Sequence, residues 1–256
     1  TASSDCEGDV ACTATFTVED APLVDLDCPA DQTEVSCQIQ DSINSKFDDW
    51  LSEAMVSGGC NTNLTNNNTG APDACGGTVT VMWTASSDCE ADVTCIATFT
   101  VEDVPPIDLD CPMDQTEVSC QEQDSINSKF DDWLAEAMVS GGCNTDLTNT
   151  NTGAPDACGG SVTVTFTVMG ECSQDMTCTA TFTVEDAPVV DLDCPMDQTE
   201  VSCQDQDSIN SKFDDWLAEA MVSGGCNTML TNSGGTAPDD CGGSTSVTWT
   251  ASSDCE

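Results

Sequence analysis

The chain has 256 residues, of which 47 are acidic and three are lysine, with neither arginine nor histidine, so its formal charge at pH 7 is −44. Nucleic acids and anionic membrane surfaces are bound through Lys and Arg, so this charge excludes both as partners. No apolar run approaches the roughly 20 residues of a membrane-spanning helix, and the hydrophobic residues, 38% of the chain, are spaced as in a folded protein.

The sequence repeats itself every 83 residues: the segment SINSKFDDWL begins at Ser42, Ser125 and Ser208. A period of this length is too long for a solenoid and fits a row of small domains. The predicted organisation is the C-terminal part of a repeat at 1–21, full repeats at 22–104 and 105–187, and the N-terminal part of a repeat at 188–256. The sequence TASSDCE occurs at 1–7 and again at 250–256, so the chain begins and ends at the same point of the repeat. This indicates either a window of a longer array or a subunit whose ends complete each other head to tail.

The elements of one repeat can be predicted from residues 105–187. PPIDLDCPMDQTEVSC predicts a first strand of about ten residues. A helix follows, with Ser125 as its N-cap and Gly141-Gly142 as its stop signal. Its apolar face is formed by Ile126, Phe130, Trp133, Leu134 and Met138. SVTVTFTV (161–168) and TCTATFTVED (177–186) alternate in polarity and predict an antiparallel hairpin. Strands at both ends with an inserted helix predict a fold class that is mainly β with one helix per repeat, as a row of tandem β-sandwich-like domains.

Nineteen cysteines, six in each repeat, predict three disulfides per repeat and an oxidising compartment. Zinc is a weak alternative because the chain lacks His and CxxC pairs. A ten-residue strand would hold Cys111 and Cys120 about 30 Å apart, and the helix would bring the chain back toward Cys111. The predicted pairs are Cys111–Cys143, Cys120–Cys158 and Cys172–Cys178, with their equivalents Cys28–Cys60, Cys37–Cys75, Cys89–Cys95 and Cys6–Cys12.

The segment VTVTFTVMGECSQDMTCTATFTVEDAPVVDLDCPMDQTEVSC resembles the hairpin and linker of hyalin-repeat (HYR)-like domains, which are immunoglobulin-like modules of large bacterial surface proteins. With the helix FDDWLAEAMVSGGCN and the word CGGSVTVTFTV, the pattern is similar to tandem repeats in giant secreted proteins of gliding Gram-negative bacteria. The resemblance covers the whole chain. It implies an extracellular or cell-surface protein with an adhesive or structural role and without catalytic residues.

Two kinds of candidate site remain beside the cysteines. Carboxylates at the predicted repeat junctions could hold Ca²⁺, although a solvated acidic surface is the simpler interpretation in a chain that is acidic throughout. These residues are Glu102, Asp103, Asp108, Asp110, Glu185, Asp186, Asp191 and Asp193. Candidate glycosylation sites are Ser42, Ser125 and Ser208, in Asp-Ser-Ile triplets like the O-glycosylation signal of those bacteria, and Asn63 and Asn67, in N-x-T sequons. A helix-capping serine is the competing interpretation of the triplets.

The sequence therefore predicts a non-enzymatic extracellular protein, with neighbouring copies of itself in a fibre as partners. The main hypothesis is a structural component of an extracellular fibre or adhesin stalk. The alternatives are a Ca²⁺-dependent or glycan-binding adhesin module, with surface glycans as partners, and a pilin-like subunit that polymerises head to tail. Each lysine is expected to pair with an Asp on its own helix.

Overall fold

The computed structural model describes residues 2–255 and divides into two compact units. The first unit comprises the residues up to 106 together with Gly142–Asn144, and the second comprises Ile107–Gly141 and the residues from 145 onward. The elements of the first unit are β1 Ala2–Ser4, β2 Glu7–Val10, β3 Asp25–Asp27, β4 Gln32–Glu34, α1 Gln40–Leu51, β5 Met55–Ser57, β6 Asn63–Asn66, β7 Gly77–Ser86 and β8 Val93–Val101.

From residue 107 onward the same order of elements returns once in full and then in part. The elements are β9 Asp108–Asp110, β10 Gln115–Glu117, α2 Gln123–Leu134, β11 Met138–Ser140, β12 Cys143–Asn149, β13 Gly160–Glu171, β14 Met176–Val184, β15 Asp191–Asp193, α3 Gln206–Leu217, β16 Met221–Ser223, β17 Met229–Asn232 and β18 Trp249–Ser252.

Each complete repeat is built on one four-stranded sheet, with strand order β4-β8-β7-β6 in one and β10-β14-β13-β12 in the other. The predicted hairpin forms the centre of the sheet, since β13 pairs antiparallel with β14 from Gly160↔Val184 to Val168↔Met176. The short strand β10 adds to the other side of β14 in parallel. A separate two-stranded ribbon pairs β9 with β11.

The helix packs on the sheet through the face that the sequence predicts. Phe130 and Trp133 are 1% exposed, and their ring centroids lie 5.3 and 5.5 Å from that of Phe182 on β14. The indole N–H of Trp133 donates to the carbonyl of Met113 at 2.8 Å, so its burial leaves no polar atom unpaired. Each such aromatic contributes about 1.5–3 kcal/mol by leaving water. The predicted fold class, mainly β with one helix per disulfide-stapled repeat, is confirmed.

The predicted helix was too long. It ends at Leu134, where the N–H of Ala135 reaches the carbonyls of both Asp131 and Asp132 in a tightened last turn. Met138 lies beyond it on β11 and is 64% exposed, because that segment pairs with β9 instead. Nor is Ser125 the N-cap: Glu122 occupies that position.

The predicted ten-residue first strand is also wrong. Residues 108–117 form two three-residue strands that belong to different sheets, β9 in the ribbon and β10 beside β14. Pro112 lies between them, and proline has no N–H to continue a ladder. The break brings Cys111 against the hairpin and removes the basis for the predicted cysteine pairs.

No helix between residues 2 and 255 is both long and apolar enough to span a lipid bilayer.

Candidate functional site

The cysteines are bonded in two ways, within a repeat and between successive repeats. Pairs 67 residues apart close a single repeat, whereas pairs 97 or 106 residues apart reach into the next one. The bonds within a repeat are Cys28–Cys95 and Cys111–Cys178, and the bonds between repeats are Cys37–Cys143, Cys120–Cys226 and Cys158–Cys255. Cys75 and Cys172 are also disulfide-bonded.

These bonds contradict all of the predicted pairings. Cys111 bonds Cys178, so neither Cys111–Cys143 nor Cys172–Cys178 forms. Cys120 bonds Cys226 in place of Cys158. The predicted pairs Cys28–Cys60, Cys37–Cys75, Cys89–Cys95 and Cys6–Cys12 fail in the same way, because Cys28 bonds Cys95, Cys37 bonds Cys143 and Cys12 is a free thiol. The prediction assumed that every disulfide closes a single repeat, whereas three of the five bonds given above join successive repeats.

The bond within a repeat attaches the linker between β9 and β10 to the sheet. Cys178 lies on β14 opposite Phe166, and Cys111 follows β9 directly. The carboxylate of Asp114 accepts the N–H of Thr181 at 2.8 Å, three residues further along both segments. At the equivalent position of the first unit, the N–H of Thr98 lowers the pKa of Asp31. The linker is therefore held to the sheet by a covalent bond and a charge-assisted hydrogen bond.

In two of the bonds between repeats, Cys37–Cys143 and Cys120–Cys226, the cysteine of the earlier repeat has a rare backbone conformation. Cys120 has φ +63°, and its N–H donates to the carbonyl of Ala157 at 3.1 Å. Cys37 and Cys203, at the same phase, have φ +64° and +67°. A left-handed conformation costs a residue other than glycine about 1–2 kcal/mol. The fold accepts this cost at each copy, whether or not the cysteine is bonded.

In the later repeat, the two cysteines that bond the preceding repeat, Cys226 and Cys255, lie in neighbouring segments held together by hydrogen bonds. The N–H of Cys226 donates to the hydroxyl of Ser253 at 2.9 Å, and the N–H of Asp254 donates to the carbonyl of Cys226 at 3.0 Å. The amide of Asn227 donates to the Asp254 carboxylate at 2.8 Å. These contacts fix Cys226 beside the segment of Cys255, and both cysteines bond the preceding repeat.

The Asn/Thr-rich segment between Cys143 and Cys158 positions the second of these bonds. The Gln123 side chain accepts the N–H of Ala157 at 2.8 Å and donates to the carbonyl of Pro155 at 3.0 Å, which joins the segment to the helix. Asp156 then accepts the N–H of Cys158 at 2.8 Å. Gly159 has φ +134°, and a Cβ there would lie 2.6 Å from a carboxylate oxygen of Asp186. These contacts explain why residues 155–159, PDACG, recur at the end of the segment.

Six described cysteines have free thiols: Cys12, Cys60, Cys89, Cys194, Cys203 and Cys241. Each has an equivalent in another repeat that is bonded. Cys194, for example, is equivalent to Cys111, whose partner follows 67 residues later, and from Cys194 that step leads past residue 256. A hydrogen bond with Cys60 raises the pKa of the Cys89 thiol, and the Asp240 carboxylate raises that of Cys241.

Residues of the segment 188–255, which stops short of the positions equivalent to β14, line a groove of about 500 Å³. Phe213 and Trp216 are half-buried there, whereas their equivalents Phe130 and Trp133 are fully buried. Trp249 lines the same groove, with its rings 5.0 Å from those of Trp216.

The lysines pair across elements and not along their helices as predicted. Lys129 contacts Glu117 on β10 at 2.5 Å, Lys212 contacts Glu200 at 2.5 Å, and Lys46 contacts Glu34. The Lys212 ammonium, with Gln198 and Gln204, lowers the pKa of Glu200 to about 2. Each pair joins the helix to the segment that precedes it.

The predicted calcium ligands are exposed. Asp108 and Asp110 lie on β9, and Asp191 and Asp193 on β15; Glu102, Asp103, Glu185 and Asp186 follow β8 and β14. In the described part of the chain, the one group of three metal-ligating side chains is Asp239, Asp240 and Cys241, which includes none of them. Asp186 lines an open surface depression of about 550 Å³ with Asp156 and Asp254 beside the Cys158–Cys255 bond, although these three carboxylates do not form a metal-ligating group.

The candidate glycosylation sites differ in their surroundings. Ser125, Asn63 and Asn67 are exposed, and Ser42 and Ser208 are half-buried. The hydroxyl of Ser208 donates at 2.7 Å to Asp205, which is the N-cap of α3, so the serine is not the cap in that copy either. The side-chain oxygen of Asn67 accepts the N–H of Met82 at 2.8 Å. Glycosylation stays a prediction at all five sites.

No family model matches the sequence, and no curated protein does. Among solved structures, the chain is similar to domains EC1-4 of Drosophila N-cadherin, with a TM-score of 0.29 and 12% identity over 64% of this chain and 49% of that one. The titin fragment I67-I69 has a TM-score of 0.26 and 7% identity over 84% of this chain and 80% of that one. Protocadherin gamma B7 domains 1-4 have a TM-score of 0.29 and 13% identity over 68% of this chain and 51% of that one. The chain thus spans about half the length of the cadherin fragments.

Proposed function

We propose that this chain is a structural, non-enzymatic component of an extracellular fibre or adhesin stalk, built from tandem repeats at 22–104 and 105–187 with partial repeats at 1–21 and 188–256. The observation that carries the proposal is the pair of bonds Cys120–Cys226 and Cys158–Cys255, which join one repeat covalently to the next. These bonds give an array a continuous covalent connection that bypasses most of the backbone.

The location follows from the same bonds. Disulfides persist in oxidising compartments, and the cytosol keeps thiols reduced. The charge of −44 keeps neighbouring arrays apart and soluble. The resemblance to HYR-like repeats of gliding bacteria supports an extracellular or surface location and a structural role.

A second candidate function is a Ca²⁺-dependent or glycan-binding adhesin. The open depression lined by Asp156, Asp186 and Asp254 is the observation that favours it, because carboxylate oxygens are the ligands that Ca²⁺ prefers and these side chains would have to move together to bind it. In that case the ion would stiffen the connection that Cys158–Cys255 already makes.

Thermal unfolding of the oxidised 256-residue chain separates the two functions. For a disulfide-based scaffold, we expect a phosphine reductant to lower Tm by at least about 10 °C, while EDTA leaves it unchanged. A Ca²⁺-dependent adhesin would instead lose stability in EDTA and regain it on addition of Ca²⁺, and Asp186→Asn would abolish that response. If the reductant leaves Tm unchanged, the disulfide-based scaffold is refuted. Specific binding on a glycan array would favour the adhesin.

A further inference from the structure

Two disulfides lie side by side at the junction between the repeat 105–187 and the repeat that follows it. Cys120 bonds Cys226 and Cys158 bonds Cys255, with Cα–Cα distances of 5.0 and 5.3 Å. The junction between the two complete repeats has a disulfide-bonded cysteine at each of the same four positions: Cys37, Cys75, Cys143 and Cys172. The set of four bonded cysteines therefore recurs with the repeat.

The two cysteines that the earlier repeat contributes to this junction are neighbours. The N–H of Cys120 donates to the carbonyl of Ala157 at 3.1 Å, one residue before Cys158. Backbone segments joined by such a hydrogen bond lie about 5 Å apart. A disulfide spans Cα atoms that are roughly 4.4–6.8 Å apart, so Cys120 and Cys158 are close enough to bond each other.

The two cysteines of the later repeat are neighbours as well. The N–H groups of Cys226 and Cys255 both donate to the hydroxyl of Ser253, at 2.9 and 3.2 Å. The N–H of Asp254 donates to the carbonyl of Cys226 at 3.0 Å. The same four sulfurs can therefore pair in a second way, with Cys120–Cys158 in one repeat and Cys226–Cys255 in the next.

We propose that these four cysteines form an exchange centre, at which a low-molecular-weight thiol converts the two bonds between repeats into one bond within each repeat. This regulation rests on the structural function proposed above. With the bonds between repeats in place, the disulfides carry a pulling force past most of the backbone. With the bonds within repeats, the backbone between Cys158 and Cys226 carries the force, and the array becomes extensible without losing a disulfide.

The exchange needs no net oxidant or reductant, because the small thiol is regenerated. Cys120 is exposed, whereas Cys226 is 2% exposed, so the incoming thiolate attacks the Cys120 sulfur. This attack forms a mixed disulfide at Cys120 and releases the Cys226 thiolate. That thiolate attacks the Cys255 sulfur, which forms Cys226–Cys255 and releases the Cys158 thiolate. The Cys158 thiolate then attacks the mixed disulfide, forms Cys120–Cys158 and expels the small thiolate.

The charge around the exchange centre determines which class of thiol reacts fastest. Asp156, Asp186 and Asp254 line the open depression that contains Cys158 and Cys255. The whole chain carries a formal charge of −44. Carboxylates repel an anionic thiol such as glutathione and attract a cationic one. We therefore expect a small thiol that carries an amine, such as cysteamine, to be the effective class.

Single-molecule force spectroscopy of the oxidised 256-residue chain tests the exchange. The free thiols are first blocked with iodoacetamide, and the chain is pulled from residues 27 and 256 in the presence of cysteamine. Exchange lengthens the shortest covalent route by the 68 residues between Cys158 and Cys226, about 240 Å. Reduction of both bonds would instead add the 97 residues between Cys158 and Cys255, about 340 Å. We expect steps of about 240 Å, and steps of about 340 Å alone would overturn the exchange.

A matched control removes one of the two neighbouring bonds and keeps the other. Cys120→Ser combined with Cys226→Ser leaves Cys158–Cys255, which still bypasses the same backbone. Without an adjacent disulfide to exchange with, this bond is only reduced by cysteamine. The variant should therefore show the step of about 340 Å and lack the step of about 240 Å. A variant that keeps the shorter step would show that it does not come from exchange.

Peptide mapping of a second double variant measures the alternative bond directly. Cys226→Ser combined with Cys255→Ser leaves Cys120 and Cys158 without partners in the next repeat. With cystamine as the oxidant, these two thiols should form Cys120–Cys158, while one cystamine becomes two cysteamine molecules. Two thiols that stay unbonded to each other would contradict the proposed geometry. If the exchange fails but the oxidised wild type still resists extension, the structural function stands and only its regulation is refuted.

Discussion

Reduction should convert an almost inextensible chain into a long one. The shortest covalent route from Cys28 to Cys255 runs nine residues to Cys37, crosses to Cys143, runs fifteen residues to Cys158 and crosses again. At about 3.5 Å per extended residue, these 24 residues span about 85 Å, and the two bonds add Cα–Cα steps of 5.1 and 5.3 Å. The backbone route has 227 residues and spans about 800 Å.

Single-molecule force spectroscopy measures the difference directly. With handles attached at residues 27 and 256, just outside the bonded span, the oxidised chain should rupture from its handles without releasing hidden length. Addition of a reductant should then release the 203 bypassed residues, about 700 Å in total. An oxidised chain that extends by several hundred Å would show that bonds between repeats do not carry the load, which would refute the reasoning.

Three further predictions concern single repeats. Trp83→Phe should change the free energy of unfolding by less than about 1 kcal/mol, because the Trp83 indole N–H is buried without a partner. Trp133→Phe should lower the free energy of unfolding by at least about 2 kcal/mol, because it loses a hydrogen bond as well as volume. Urea titration of the two variants measures the difference. Lys129 lowers the pKa of Glu117, so the wild type should be more stable to unfolding than Glu117→Gln by roughly 0.5–1 kcal/mol at pH 7. This difference in stability should disappear as the pH falls through the lowered pKa. A difference that stays constant down to about pH 2 would contradict the prediction. Gly159→Ala should lower Tm more than Gly153→Ala, since both have positive φ but only Gly159 lacks room for a Cβ; equal losses would leave backbone strain as the sole cause.

The local structure was predictable because its signals are local. The spacing of Ile126, Phe130 and Trp133 identifies one face of a helix, and alternation from 161 to 168 identifies a strand, so both were found. The helix end was missed because Met138 continues the helical spacing but pairs with Asp110 in the ribbon. That pairing depends on a residue 28 positions away, which no local pattern contains.

The cysteine pairs were not predictable from one repeat. Six cysteines at fixed phase look like three closed bonds, and the even number hides that Cys120 and Cys158 bond the following repeat.

The overlap of the bonds has a consequence for survival outside a cell. Between Cys28 and Cys255, every peptide bond lies inside at least one disulfide loop. A protease that cuts the backbone once anywhere in this span leaves two pieces that are still covalently attached. Loss of material then requires a second, correctly placed cut or a reductant, so the molecule tolerates nicks that would sever an ordinary row of domains.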